Sequence, residues 1–99
     1  PEYRCRVLRW GGVRESRLLD HAQLAESLGA AATFVGAIDD MRVVALAANC
    51  GEPNVCCTDH QLFDTPVFGN VYLVGSGENG EPIDVDTEAV LAYMDARAA

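Results

Sequence analysis

Val67-Phe-Gly-Asn-Val-Tyr-Leu-Val74 is the longest uninterrupted segment of β-branched, aromatic and aliphatic residues in the chain. Its alternating faces are both largely apolar: Val67, Val71 and Leu73 on one, Phe68, Tyr72 and Val74 on the other. A strand with one solvated face alternates apolar with polar residues, so this pattern predicts a central strand covered on both sides. Gly69 and Asn70 are its only interruptions.

Downstream of this strand, Gly75-Ser-Gly-Glu-Asn-Gly-Glu81 and Pro82 read as a turn, and Asp86 as the N-cap of a last helix. Val85 is spaced to staple onto Val90, Glu88 lies in the first turn and Arg97 near the end, with Val90, Leu91 and Met94 facing the sheet. Upstream, Asp59 to Pro66 reads as an irregular crossing loop, Asn54 to Thr58 as a short strand, and Asn49 to Asn54 as a turn. Thr33 to Ile38 and Met41 to Ala48 read as two strands joined at Asp39-Asp40. Asp20 starts a short helix, with Gln23 placed for a capping box, Leu19 and Leu24 for a staple, and Gly29 as its stop. Tyr3 to Arg9 and Val13 to Leu18 read as strands around a two-residue Gly11-Gly12 turn. This succession predicts a single α+β domain over residues 1–99, with a mainly antiparallel sheet of about five strands and two helices packed on one face.

The 49% hydrophobic and 22% charged residues are those of a folded domain, and no apolar run approaches the roughly 20 residues needed to cross a bilayer. A soluble, cytoplasmic protein is therefore expected. The net charge of −8 is unevenly distributed. Residues 1–20 hold five of the seven arginines against Glu2, Glu15 and Asp20, a net of +2, so residues 21–99 carry −10. A field of that sign repels nucleic acid and anionic membranes and favours cationic partners, including basic nucleic-acid grooves on other proteins.

Three stretches resemble a known family. Phe34-Val-Gly-Ala-Ile38 after a short helix, Val43 to Pro53, and Phe68-Gly-Asn-Val-Tyr-Leu-Val-Gly75 before an acidic turn and terminal helix are similar to small domains of unknown function carried by phages, plasmids and bacteria. That family shows a V-G-G strand start, an N-E-E-G turn and a G-x-x-x-x-V-G strand. Here the first is Val35-Gly36-Ala37 and the second Asn49-Cys50-Gly51-Glu52. The resemblance implies a mobile-element accessory protein, one that acts against host defence, and it transfers no catalytic residues.

Candidate chemistry is sparse. Cys50, Cys56, Cys57 and His60 form a C-x5-C-C-x2-H cluster of metal-ligand types, but this is not the C-x2-C knuckle of structural zinc sites, and adjacent cysteines on a strand point to opposite faces. Cys50, Cys56 and His60 are therefore weak candidates for a zinc-binding structural or regulatory protein, and free thiols are the simpler expectation. The Gly75–Gly80 segment carries Glu78 beside Glu81, and the chain has no lysine, so a phosphate cradle is not expected. No enzyme signature and no cofactor follow from the sequence. Binding remains. The leading expectation is a stoichiometric inhibitor of a CRISPR- or restriction-type host protein, with Asp39, Asp40, Glu78, Glu81, Asp84, Asp86 and Glu88 as its acidic surface. The alternative is a homo-oligomer, a homodimer included, that sequesters a small anionic nucleotide-like ligand on Arg4, Arg6 and Arg14.

Overall fold

The computed structural model describes residues 1–97. Its sheet comprises β1 (Tyr3–Leu8), β2 (Arg14–Leu19), β3 (Thr33–Ile38), β4 (Val43–Ala47), β5 (Val71–Ser76) and the two-residue β6 (Pro82–Ile83). The strand order is β2-β1-β5-β4-β3, with β6 flanking the far end of β5 and every pairing antiparallel. Three helices complete the chain: α1 (His21–Leu28), α2 (Val55–Asp59) and α3 (Thr87–Arg97). The α+β class and the antiparallel sheet expected from the sequence are therefore what the chain forms.

The central strand is β5, and both its faces are covered. Val71 and Leu73 join Leu8, Val43, Ala45 and Ala47 beneath Cys56 and Cys57 of α2 and Val90 and Met94 of α3. Tyr72 and Val74 join Tyr3, Cys5, Val7 and Leu19 beneath Leu24 and Leu28 of α1. The two longer helices thus lie on opposite faces, not together on one face as the sequence led us to expect. The reason is already in β5: with both helices on one side, either Val71 and Leu73 or Tyr72 and Val74 would be left in water.

Three local expectations are also corrected. The strand does not begin at Val67: Gly69 takes a φ of +77°, and Phe68 makes only an isolated bridge to Pro53. A Cβ at Gly69 would lie 2.8 Å from the Cys50 carbonyl oxygen, so only glycine fits there. The first hairpin has a three-residue loop, Trp10-Gly11-Gly12, because the Arg9 N–H donates to the Val13 carbonyl (2.8 Å) and the Gly12 N–H to the Arg9 carbonyl (3.0 Å). Asn54 to Thr58, read as a strand, is the start of α2.

Helix starts follow their caps. Asp20 closes a capping box with Gln23 over bonds of 2.8 and 2.9 Å, and Leu19 and Leu24 are both buried on that side. Asp86 accepts the Ala89 N–H at 3.0 Å, with Val85 and Val90 both buried below. Asn54 caps α2 by accepting the Cys57 N–H at 3.1 Å. The same fully buried side chain donates to the carbonyls of Leu8 (2.9 Å) and Gly69 (2.8 Å). It therefore ties the end of β1, the start of α2 and the loop entering β5.

Asn54→Ala leaves these buried partners unpaired and removes a cap, so it should lower the unfolding free energy by about 2–4 kcal/mol. Asn54→Asp keeps the cap but turns a carboxylate toward two carbonyls, and should be at least as damaging. Urea denaturation checks both; a midpoint within error of the parent for either variant would contradict the role assigned to Asn54.

Candidate protein-binding surface

The ladder registers Ile38 with Val43, Val43 with Gly75 and Gly75 with Ile83 bring four chain segments to one end of the sheet. The Arg4 N–H donates to Asp84 Oδ1 (2.6 Å) and the Val85 N–H to the Arg4 carbonyl (2.8 Å), which adds the start of β1 to the same end. From this end project the 3-10 turn Asp39–Met41, the β5–β6 turn with Glu78 and Glu81, and the entry to α3 with Asp84 and Asp86. Glu88 follows in the first turn of α3. All seven carboxylates are exposed.

Their individual roles differ. Asp84 and Asp86 hold backbone N–H groups, and Glu81 Oε1 accepts the Asn79 N–H at 3.4 Å. Asp39, Asp40 and Glu78 accept no side-chain hydrogen bond among the described residues. The two ion pairs found among the described residues, Arg9–Glu15 and Arg14–Asp95, involve none of the seven. Arg42, exposed in the left-handed conformation (φ 53°) beside Asp39 and Asp40, is a cation carried on this same end. The chain thus keeps several like charges together without pairing them internally, which costs stability in water and is relieved by an opposite charge.

The arginines sit differently. Arg6, only 6% exposed, lies on the face of β1 covered by α3. Its Nη2 donates to the Thr87 carbonyl (2.9 Å) and Nη1 to the Arg14 carbonyl (3.3 Å), while Nε has no partner. Burial, then Arg14 beside it, holds its pKa below the usual arginine value, with Glu88 acting in the opposite sense. Arg14 Nη1 bonds Asp95 Oδ1 at 3.1 Å. Arg6 and Arg14 therefore clamp α3 against β1 and β2. Arg4 is half-buried beside them. An anion could reach Arg6 only by displacing the helix.

The cysteines and His60 do not converge. Cys56 and Cys57 lie buried on α2, so they follow a helical and not a strand alternation, and Cys50 is exposed in the loop before it. His60 Nδ1 lies 2.7 Å from the Met94 carbonyl oxygen, which makes this nitrogen the protonated donor. Among the described residues, no three His, Cys, Asp or Glu side chains are grouped to hold a metal ion. Burial pushes the Cys57 thiol up to about 12, with Cys56 adding to it, and raises Cys56 and Cys5 as well. The roughly 440 Å³ groove beside α2, lined by Cys57, Thr58, Gln61, Phe63, Asp64 and Arg97 among others, thus contains a thiol that stays protonated at neutral pH.

The residue that sequence reading missed is Asn54. Asparagine is a favoured N-cap, and it stands here before Val-Cys-Cys-Thr-Asp. The β-branched Val55 and Thr58 masked that signal by favouring a strand. Comparison of the chain with models of known protein families, with curated proteins and with solved structures finds no match.

Titration of the native protein at pH 8 with a chromogenic disulfide reagent should register one fast thiol, Cys50. Cys5, Cys56 and Cys57 should join only in denaturant. Two or more fast thiols would show that the α2 core opens readily.

Proposed function

We propose that this chain is a non-catalytic binding module that inhibits a basic protein partner by presenting the acidic end of its sheet. The observation that carries the reading is the gathering of exposed carboxylates, none of them in an ion pair among the described residues, from separate segments at one end of the sheet. A basic groove that binds nucleic acid is the surface such an array complements, and long-range attraction then speeds association. The resemblance to domains carried by phages and plasmids supports a host defence protein of CRISPR or restriction type as the partner. It likewise supports an accessory role in a mobile element.

Asp39, Asp40 and Glu78 are the residues to reverse, because Asp84 and Asp86 also hold the fold together. Cleavage of plasmid DNA by purified CRISPR effectors and restriction endonucleases should be blocked for one of them at stoichiometric amounts of the chain. Rising salt should relieve the block. The triple variant Asp39→Arg, Asp40→Arg, Glu78→Arg should raise the concentration needed at least about tenfold, since like charges then face each other. Reversal of the exposed Glu26 and Asp59, on α1 and α2, should leave it unchanged. Uninhibited cleavage across the panel, or equal inhibition by the triple variant, would overturn the proposal.

A further inference from the structure

Away from the carboxylates, at the end of the sheet where Leu8, Val71 and Ala47 are in register, three loops border a groove of roughly 390 Å³. They are the hairpin loop at Trp10, residues 48–52 and the Gly69-Asn70 turn, and Tyr72 lines the groove between them. Its size falls within the about 300–1,000 Å³ of small-molecule sites. The borders are fixed by backbone bonds. The Trp10 N–H donates to Asn70 Oδ1 (3.0 Å), the Trp10 carbonyl accepts the Val55 N–H (2.9 Å), and the Gly69 N–H donates to the Glu52 carbonyl (2.7 Å). Borders held this way lose little freedom when a ligand enters.

The lining has a definite chemistry. Trp10 is tied through its backbone on both sides, yet the residue is 48% exposed and lines the groove. Tyr72 is the opposite case, only 4% exposed. Its hydroxyl lies by the Arg9 guanidinium, which Glu15 holds at 2.9 Å. A guanidinium has no acceptor atom, and no acceptor for the Tyr72 O–H is found among the described residues. A buried donor at a groove is costly until a ligand or water accepts from it. Asn70 spends its amide oxygen on Trp10, which leaves its NH₂ as a second donor. Glu52 is the only charged side chain lining the groove among the described residues; it is exposed and in no ion pair there.

These groups select the ligand. Glu52 and the net charge of −8 disfavour a phosphate. A simple ammonium would suit Glu52 but set a cation against the Tyr72 and Asn70 donors, and a purely apolar ring would leave all three groups unmet. What fits is a flat ring with acceptors on one edge and N–H donors on another. Guanine carries the O6 and N7 acceptors together and the N2–H₂ donor away from them. We propose that this groove binds the guanine base of an uncharged nucleoside. The ring covers Trp10, O6 and N7 accept from Tyr72 and Asn70, and N1–H and N2–H₂ donate to the Glu52 carboxylate. The site lies at the other end of the sheet from Asp39 and Asp40 and does not depend on what those carboxylates bind.

Isothermal titration with guanosine tests the site. Binding should saturate at one nucleoside per chain and quench the fluorescence of Trp10, the only tryptophan in the sequence. Adenosine, with an amino group in place of O6 and no N1–H, should bind at least about tenfold more weakly. Tyr72→Phe removes only a hydroxyl, and Glu52→Gln only the charge of an exposed side chain. Each should weaken guanosine at least about tenfold, with the circular dichroism spectrum unchanged. Trp10→Ala should weaken it at least about fivefold. Bound guanosine should also slow the reaction of Cys50, whose exposed thiol shares the groove, with a disulfide reagent. Asp39→Arg with Asp40→Arg should leave the affinity unchanged, so failure of this site is distinguishable from failure of the acidic surface. Absence of both heat and quenching with guanosine overturns the proposal. Equal affinities for guanosine and adenosine, or undiminished binding by either Tyr72→Phe or Glu52→Gln, do the same.

Discussion

A single buried amide, that of Asn54, is the point on which the rest of the structure depends. Both of its N–H donors and its oxygen are used, on Leu8, Gly69 and Cys57. These partners belong to segments far apart in the chain. Remove the side chain and the end of β1, the first turn of α2 and the loop before β5 each lose a partner that water cannot replace, because the site is fully buried. The Asn54 backbone adds to the same knot, with its N–H donating to the Val67 carbonyl at 2.9 Å. Such an anchor holds the start of α2 against the end of β1 and the loop before β5, beside the point where Cys56 and Cys57 enter the core.

The core is divided by the sheet, and its two halves are stabilised differently. The side under α2 and α3 is closed by Val85, Val90 and Met94 and carries the Arg6 guanidinium against the Thr87 carbonyl. A buried arginine with carbonyl partners and no carboxylate is a costly arrangement, offset by the packing of the helix it holds. The side under α1 is thinner. A helix with two buried leucines covers the β2-β1-β5 half and stops short of β3. This difference, and not total hydrophobicity, is why one edge of the molecule remains apolar and open.

Electrostatics follow the same geometry. Antiparallel strands place successive turns at alternate ends, so carboxylates far apart in sequence gather at one end of the sheet. Arg9 and Arg14 lie instead toward the turn of the β1–β2 hairpin, where Arg9 pairs with Glu15 and Arg14 with Asp95 of α3. The result is a molecule with one strongly anionic end and a cationic hairpin neutralised in part by Glu15 and by Asp95 of α3.

What was legible in the sequence came from local patterns. The Asp20 capping box, the Asp86 cap and the Val85–Val90 staple each depend on residues a few positions apart, and each appears as read; the two-faced apolar run read over Val67–Val74 holds for Val71–Val74. The α+β class follows from their succession. The sequence also carried the composition of the acidic surface, Asp39 through Glu88. Tertiary structure alone decided the rest. Gly69 ended the strand early because the Cys50 carbonyl approaches it, and Asn54, capping α2 through the Cys57 N–H, is held in place by the Leu8 and Gly69 carbonyls of distant segments. The helices took opposite faces because both sides of β5 needed covering, and Arg6 was withdrawn from solvent because α3 lies over it. Local patterns read as sequence because their energy lies within a turn or a pleat. Contacts between segments tens of residues apart have no such spacing to be read.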